Sequence, residues 1–308
     1  MEETSHAEID LHIHSTASDG TLTPREILAR ALSIGLRAIA IADHDCVDGV
    51  REALAAGIPG PIRFVSGVEI SASPPPFLKS RGSFHILGYA FRPEDPRLNR
   101  ALTLLQSARR NRNPKIIHRL NRLGIDITLE QVRQICADGQ LGRPHIARAL
   151  VEKGHAASID EAFDRFLGTG KPAYVEKERI TCRLAIDIIR AAGGLAVLAH
   201  PALLRVNDPV ILEDLVIRLK AMGLSGIEVY YPGHSQRETA SYAAMAQRHD
   251  LVMTGGTDFH GAIKPEIEMG VGSGNFAVPY ILYEKLIARA GAYAKHQETL
   301  PGKRSTRA

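Results

Sequence analysis

The sequence is poor in cysteine and contains no long apolar run. Its 308 residues include three cysteines, Cys46, Cys136 and Cys182. An odd number at such wide separations suits neither a disulfide framework nor a cysteine-based zinc site, so reduced thiols are expected. No apolar stretch reaches the roughly 18 residues that a membrane-spanning helix needs, so a membrane partner is not expected. The opening residues, MEETSHAEID, are acidic and polar. They do not read as a secretory signal, and the cytoplasm is the default compartment. No Gly-x-Gly-x-x-Gly follows the first apolar strand, which disfavours a dinucleotide-binding enzyme. Internal repeats and low-complexity segments are also missing.

The length allows one large domain or two modest ones. The composition, 44% hydrophobic and 23% charged, is that of an ordinary globular chain with ample apolar content for a core. A net charge of +4 suits anionic ligands without singling them out. The 13 histidines carry more information, because several stand beside carboxylates.

Strand-like and helix-like segments alternate. Strands are expected at 7–12, 36–42 (LRAIAIA), 62–70, 83–90, 195–199, 226–230 and 251–254. A helix is expected at 24–33, with Thr23 as cap, Pro24 at the first helical position and Gly35 after the end. Further helices are expected at 47–56, 209–222, 235–248 and 279–294, before a basic tail at 303–308. Such alternation implies a largely parallel sheet covered by helices, either a (β/α) barrel or an open doubly wound sheet. Between 93 and 182 no strand is expected. Helices at 98–123, 129–137, 144–152 and 159–166 form an Arg- and Lys-rich, all-helical insertion, whose charges are read mainly as solvated helix surface.

Five short clusters carry chemistry. In Asp10-Leu11-His12-Ile13-His14 the two histidines stand two apart in a strand and face the same way. They suit one metal ion, with Asp19 in the next loop as an oxygen ligand. Asp43-His44-Asp45 follows an apolar strand. His44 is the natural ligand there, with Asp43 and Asp45 either orienting it by hydrogen bonds or capping the next helix. Glu69 ends an apolar run, where a carboxylate needs a cation or strong hydrogen bonds. His85, inside an apolar strand, reads by itself as a core histidine. His200 ends another strand, and Asp258 and His260 follow the last one after Gly255 and Gly256. Strand ends are where α/β folds put active sites. The nitrogen and oxygen donors, with no cysteine, suit Mn²⁺, Zn²⁺ or Fe²⁺, and their number exceeds the need of one ion.

This ordered set resembles the PHP (polymerase and histidinol phosphatase) family of metallophosphoesterases. The resemblance implies a distorted (β/α)₇ barrel at 1–92 and 183–308, with the helical insertion at 93–182 capping the substrate. It implies two or three divalent ions, manganese first. One would use His12, His14, Glu69 and Asp258, a second Glu69, His85 and His200, and a third Asp19, His44 and His260. Several relatives have histidine where Asp19 stands. Segments of the insertion, among them Gly142-Arg143-Pro144-His145 and Gly168-Thr169-Gly170-Lys171-Pro172, resemble the bacterial subgroup of 3′,5′-nucleoside bisphosphate phosphatases, whose relatives also degrade short RNA from the 5′ end.

The expected activity is therefore hydrolysis of a 3′-phosphate by a hydroxide held between metal ions, with short RNA as a second substrate and no obligate protein partner. Asp19, His44 and His260 are the candidates nearest the leaving group. Arg143, at a helix start that favours anions, would grip the phosphate that is retained, with His145, Lys115 and Lys177 as lesser candidates. The competing expectations are a histidinol-phosphate phosphatase and a non-catalytic, metal-binding module that regulates RNA.

Overall fold

The computed structural model describes residues 8–78, 82–136, 140–274 and 276–299. The expected basic tail lies outside them. The chain runs β1 (Ile9–Ile13), α1 (Pro24–Ser33), β2 (Ala38–Ile41), α2 (Asp48–Ala56), β3 (Arg63–Ser73) and β4 (His85–Tyr89). The helices α3 (Pro96–Arg122), α4 (Leu129–Cys136), α5 (Arg143–Glu152) and α6 (Ile159–Ala162) follow. Then come β5 (Ile180–Thr181), α7 (Cys182–Ala191), β6 (Leu195–Leu198), α8 (Pro209–Ala221), β7 (Gly226–Tyr230), α9 (Gln236–Arg248), β8 (Val252–Gly255) and α10 (Ile281–Thr299). None of the described helices is long and apolar enough to cross a membrane.

Local chemistry sets several boundaries. Thr23 caps α1 by accepting from the Glu26 amide, and Glu26 accepts from the Thr23 amide at 2.8 Å, with Pro24 starting the helix. Asp95 and Ser235 cap α3 and α9 in similar ways.

Seven strands form a sheet in the order β1-β2-β3-β4-β6-β7-β8, and β5 pairs with β3 off that path. A parallel bridge from Ile13 to Phe259, with the His14 amide 2.9 Å from the Phe259 carbonyl, draws the two ends together into a nearly closed barrel. β4 runs antiparallel to both β3 and β6. The described residues of the Pro-rich connection before it form no helix, and a parallel return needs a long crossover.

Alternate residues of β2 divide between two apolar clusters. Ala38 and Ala40 pack with Val65, Leu87, Val197 and α10. Ile39 and Ile41 pack under α1 and α2. The register of β1 slips between Asp10 and Ile13. Ile9 and Leu11 join the cluster of Ala40, Ile13 packs instead with Ile39 and Ile41, and His12 joins a buried polar group at the barrel rim.

The structure corrects three expectations. β5 is a strand inside the stretch expected to have none, pairing Ile180 with Ala72. α7 was not anticipated, although Thr181 caps it and Ala185, Ile186 and Ile189 are buried. The helix expected at 159–166 is one α-turn that widens into a π-turn at Phe163–Leu167. The sheet is largely parallel, as expected, with β4 its antiparallel strand. Residues from Ile116 to Ala173 share an apolar cluster of their own. The first half of α3 instead packs on the barrel through Leu98, Leu102 and Leu105.

Candidate metal centre and substrate cavity

The nine expected donors converge on one rim of the barrel. His14, His44, His200, Asp258 and His260 follow the C-terminal ends of β1, β2, β6 and β8, while His12 and Glu69 lie within β1 and β3. His85 begins β4, and because β4 is antiparallel its start reaches the same rim. It is a member of the centre and not the core histidine that its strand alone suggested. His200 (φ 25) and Asp258 (φ 55) hold left-handed backbone conformations that non-glycine residues rarely adopt. Such strain costs about 1–3 kcal/mol per residue and gathers at functional sites. Gly256 passes so close to β1 that a Cβ there would overlap the His12 backbone nitrogen.

Glu69 is the hub. Its Oε1 lies 2.6 Å from His85 Nδ1 and 2.8 Å from His200 Nε2. Its Oε2 lies 2.9 Å from His44 Nδ1 and 3.4 Å from both His12 Nε2 and His14 Nε2. Asp258 Oδ1 is 3.1 Å from His14 Nε2 and 3.6 Å from His12 Nε2. Asp19 stands 3.5 Å from His260 Nε2, 3.7 Å from His14 Nδ1 and 3.8 Å from His44 Nε2. Three groupings bring donor atoms within 4.8 Å of one another: His12, His14, Glu69 and Asp258; His14, Asp19, His44 and His260; and His44, Glu69 and His85.

Divalent cations fit this donor set. His12 Nε2, His14 Nε2, Asp19 Oδ1, His44 Nδ1, Glu69 Oε2 and His200 Nδ1 are buried and make no hydrogen bond. Buried polar atoms are nearly always partnered, and the five orphans other than His200 Nδ1, whose ring turns its Nε2 to Glu69, share a need that a cation meets. With side chains alone, protons substitute for that charge unevenly. Burial works against a charged His14, but the Asp258 and Glu69 carboxylates outweigh it and lift its pKa to about 9. Burial, reinforced by the charge of His14, pushes His44 down to about 4. Glu69 and Asp258 stay well below the usual carboxylate range despite burial, held there by the surrounding histidines and, for Asp258, first by Lys264.

Several supporting residues differ from expectation. Neither Asp43 nor Asp45 hydrogen-bonds to the His44 ring in this arrangement, and neither caps α2, whose cap residue Val47 makes no side-chain bond. Asp43 accepts from the Ser15 amide (2.8 Å) and from the Ser15 and Ser18 hydroxyls (2.6 Å each), fixing the loop that delivers Asp19. Asp45, at φ 53, accepts instead from Ser71, from Arg109 at 3.0 Å and from Lys177 at 2.8 Å. The sequence reading missed Lys264, 2.7 Å from Asp258 Oδ2, Tyr231, 3.3 Å from the same oxygen, and the buried Glu228.

The centre opens into a cavity of about 670 Å³ whose lining includes residues of α3, α5 and the stretch from 157 to 179. Arg109, Arg112, Arg143, Lys177 and Arg179 line it. Arg109 and Arg112, read earlier as solvated charge, are each only 6% exposed. Arg143 begins α5, donates to the Leu167 carbonyl and lies 5.4 and 5.7 Å from the Phe163 and Tyr174 ring centres. Burial, followed by repulsion between neighbouring cations, pushes Arg112 down to about 9. For Lys177 burial likewise dominates, and attraction to Asp45 only partly offsets it, leaving its pKa at about 7. His145 is buried but accepts from the Gly142 amide at 3.0 Å within its own helix turn, and it does not line the cavity. Lys115 is exposed on α3 and is not brought to the cavity.

Comparison with known proteins agrees with this geometry. Residues 10–190 match the PHP domain. The chain belongs to the PHP family. A 3′,5′-nucleoside bisphosphate phosphatase from Chromobacterium violaceum is 36% identical over 255 residues, spanning 82% of this chain and 87% of the relative. A 5′-3′ exoribonuclease from Haemophilus influenzae is 36% identical over 251 residues, spanning 82% and 89%. A solved Bifidobacterium adolescentis chain, provisionally assigned as a metal-dependent phosphoesterase, superposes with a TM-score of 0.78 at 29% identity, covering 91% of this chain and 96% of that one. This PHP chain is accordingly a phosphoesterase, with donors for divalent metal at its barrel rim.

Proposed function

We propose that this PHP chain removes the 3′-phosphate from nucleoside 3′,5′-bisphosphates. One observation carries the proposal: a metal-type donor cluster and a basic wall face each other across a single cavity. A substrate with two phosphates matches both. Divalent ions, two or three, would lower the pKa of a bound water and oppose the charge that grows on the phosphoryl oxygens. Manganese is the proposed metal, with zinc or iron as alternatives. His12, His14, Glu69 and Asp258 would hold one ion, and His85 and His200 would share Glu69 for a second. Asp19, His44 and His260 would hold a third beside the leaving oxygen, with His14 within reach.

The chain itself supplies selectivity. Arg143 offers a guanidinium fork whose orientation is held by two aromatic rings and a carbonyl. Arg112 and Lys177 add buried positive charge that Asp45 does not neutralise in full. These groups bind the phosphate that is retained. Lys115 and His145 have no part in this contact. Residues 1–92 and 183–308 form the catalytic barrel in this reading, 93–182 cap it, and the enzyme works in the cytoplasm.

Arg143→Ala tests the proposal on manganese-loaded protein. Charged hydrogen bonds contribute roughly 1.5–3 kcal/mol, so kcat/KM for adenosine 3′,5′-bisphosphate should fall roughly 10- to 150-fold. Turnover of adenosine 3′-monophosphate should change little. Equal losses on both substrates, or none, would reject a selective grip. The name of the Haemophilus relative favours a second activity, stepwise hydrolysis of short RNA from its 5′ end. It predicts release of mononucleotides from a 5′-phosphorylated oligomer.

A further inference from the structure

We infer that Glu228 is a positioning residue that sets the tautomer of His12 and the backbone of His200 at once, coupling two parts of the centre. The inference rests on the metal-centre reading above. Glu228 lies in β7 with no solvent exposure. Its Oε1 is 2.8 Å from His12 Nδ1, and its Oε2 accepts from the His200 backbone N–H at 2.7 Å.

A carboxylate only accepts hydrogen bonds, so His12 Nδ1 carries the ring proton. The lone pair then sits on Nε2. That atom has no hydrogen-bond partner and lies 3.4 Å from Glu69 Oε2 and 3.6 Å from Asp258 Oδ1. With the opposite tautomer a proton would stand where a cation is to be held. The second oxygen acts on backbone geometry. His200 has φ 25 and ψ 69, a strained conformation, and in it the ring presents Nε2 to Glu69 Oε1 at 2.8 Å. A charge-assisted bond to its N–H favours that conformation. Removal of such outer hydrogen bonds to metal-ligating histidines generally costs 10- to 100-fold in metal affinity.

Glutamine is the informative replacement because it is nearly isosteric and has one accepting end. If its oxygen faces the His200 N–H, its NH₂ faces His12 Nδ1, and the ring must move its proton to Nε2. If its oxygen faces His12, its NH₂ opposes the His200 N–H and the strained backbone loses its anchor. Either orientation damages one donor.

The experiment measures zinc and manganese stoichiometry and affinity by titration calorimetry for wild type and Glu228→Gln, with circular dichroism to verify folding. Tyr89→Phe is the control. It removes a different buried hydrogen bond of the barrel, from Tyr89 to the Leu11 carbonyl, and should leave stoichiometry intact. Glu228→Gln should lose one ion per chain or bind at least tenfold more weakly. In addition, ¹⁵N shifts of zinc-loaded wild type should place the His12 proton on Nδ1, a readout that stands even if the variant does not fold. Wild-type stoichiometry and affinity in a folded Glu228→Gln would overturn the inference, as would a His12 proton on Nε2. Wild type that binds no zinc or manganese at saturation would overturn the metal-centre reading and, with it, this one.

Discussion

Binding of a phosphate at the basic wall should draw a proton from solvent, and the amount follows from Lys177. Its pKa of about 7 reflects burial and nearby arginines, against the partial compensation of Asp45. At pH 8 such a lysine is only about one-tenth protonated in the free protein. A bound phosphate dianion favours the charged form and returns the pKa toward the ordinary value of about 10.4, so binding takes up about 0.9 proton. The ligand adds little at this pH, because its own second pKa is near 6. At pH 6 the lysine is already about nine-tenths charged. Its uptake fades to about 0.1 proton, while the half-protonated phosphate tends to lose its own, so the net sign reverses. Calorimetric titration with adenosine 5′-monophosphate, in buffers of differing ionisation enthalpy, reads this number directly. Lys177→Met should abolish the uptake at pH 8. Uptake below about 0.2 proton with binding intact, or equal uptake in the variant, would refute the assignment. The same depression bears on stability. A folded-state pKa below the unfolded value penalises the charged lysine at and below about pH 7, and the penalty fades as pH rises toward 10.4. Stability of wild type relative to Lys177→Met should therefore increase over that window in urea denaturation.

Asp45→Asn leaves Arg109 and Lys177 facing each other without their carboxylate. Breaking a buried pair costs about 3–5 kcal/mol, so the urea midpoint should drop, and less so in phosphate buffer. Gly256→Ala forces a Cβ onto the His12 backbone and should destabilise by about 1–3 kcal/mol, with weaker metal binding in calorimetry. Saturation with manganese or zinc at about 100 times Kd should add about 2.7 kcal/mol per site, seen as a concentration-dependent rise in Tm that a chelator reverses. A Tm indifferent to both would count against the orphaned donors as a cation site.

Much of the barrel was legible because local and tertiary demands agree. α1 occurs at the expected residues because Thr23, Pro24 and Glu26 define its start chemically. β7 matches because a short apolar run between helices has one stable place, inside the sheet. The errors fall where tertiary pairing decides. Ile180 and Thr181 become a strand because the edge of β3 extends to Ser73 and offers partners, which no pattern within two residues can announce. The direction of β4 depends on its pairing with β3, and that direction brings His85 to the rim where the other candidate donors gather. Conversely, α7 was readable: Cys182, Ala185, Ile186 and Ile189 repeat at helical spacing behind a threonine cap.

The metal donors were legible for a similar reason. His14, His44, His200, Asp258 and His260 follow the ends of apolar strands, where a charged or imidazole side chain is conspicuous against its neighbours. The basic wall was not, because its arginines lie in a stretch dense with solvated ones. Helical phase separates them. Leu98, Leu102, Leu105, Ile116 and Leu120 mark the buried stripe of α3, and Arg109 and Arg112 stand on that stripe where apolar residues would be expected. A guanidinium on the buried face of a helix requires an anion. Asp45 supplies one carboxylate, shared by Arg109 and Lys177, and among the described residues Arg112 has no carboxylate as a hydrogen-bond partner. Among the described residues, the Arg109, Arg112 and Lys177 patch of the cavity thus carries more positive charge than its ion pairs neutralise. A second phosphate on the substrate would supply the missing anion, at the position that separates a bisphosphate from a simple monoester.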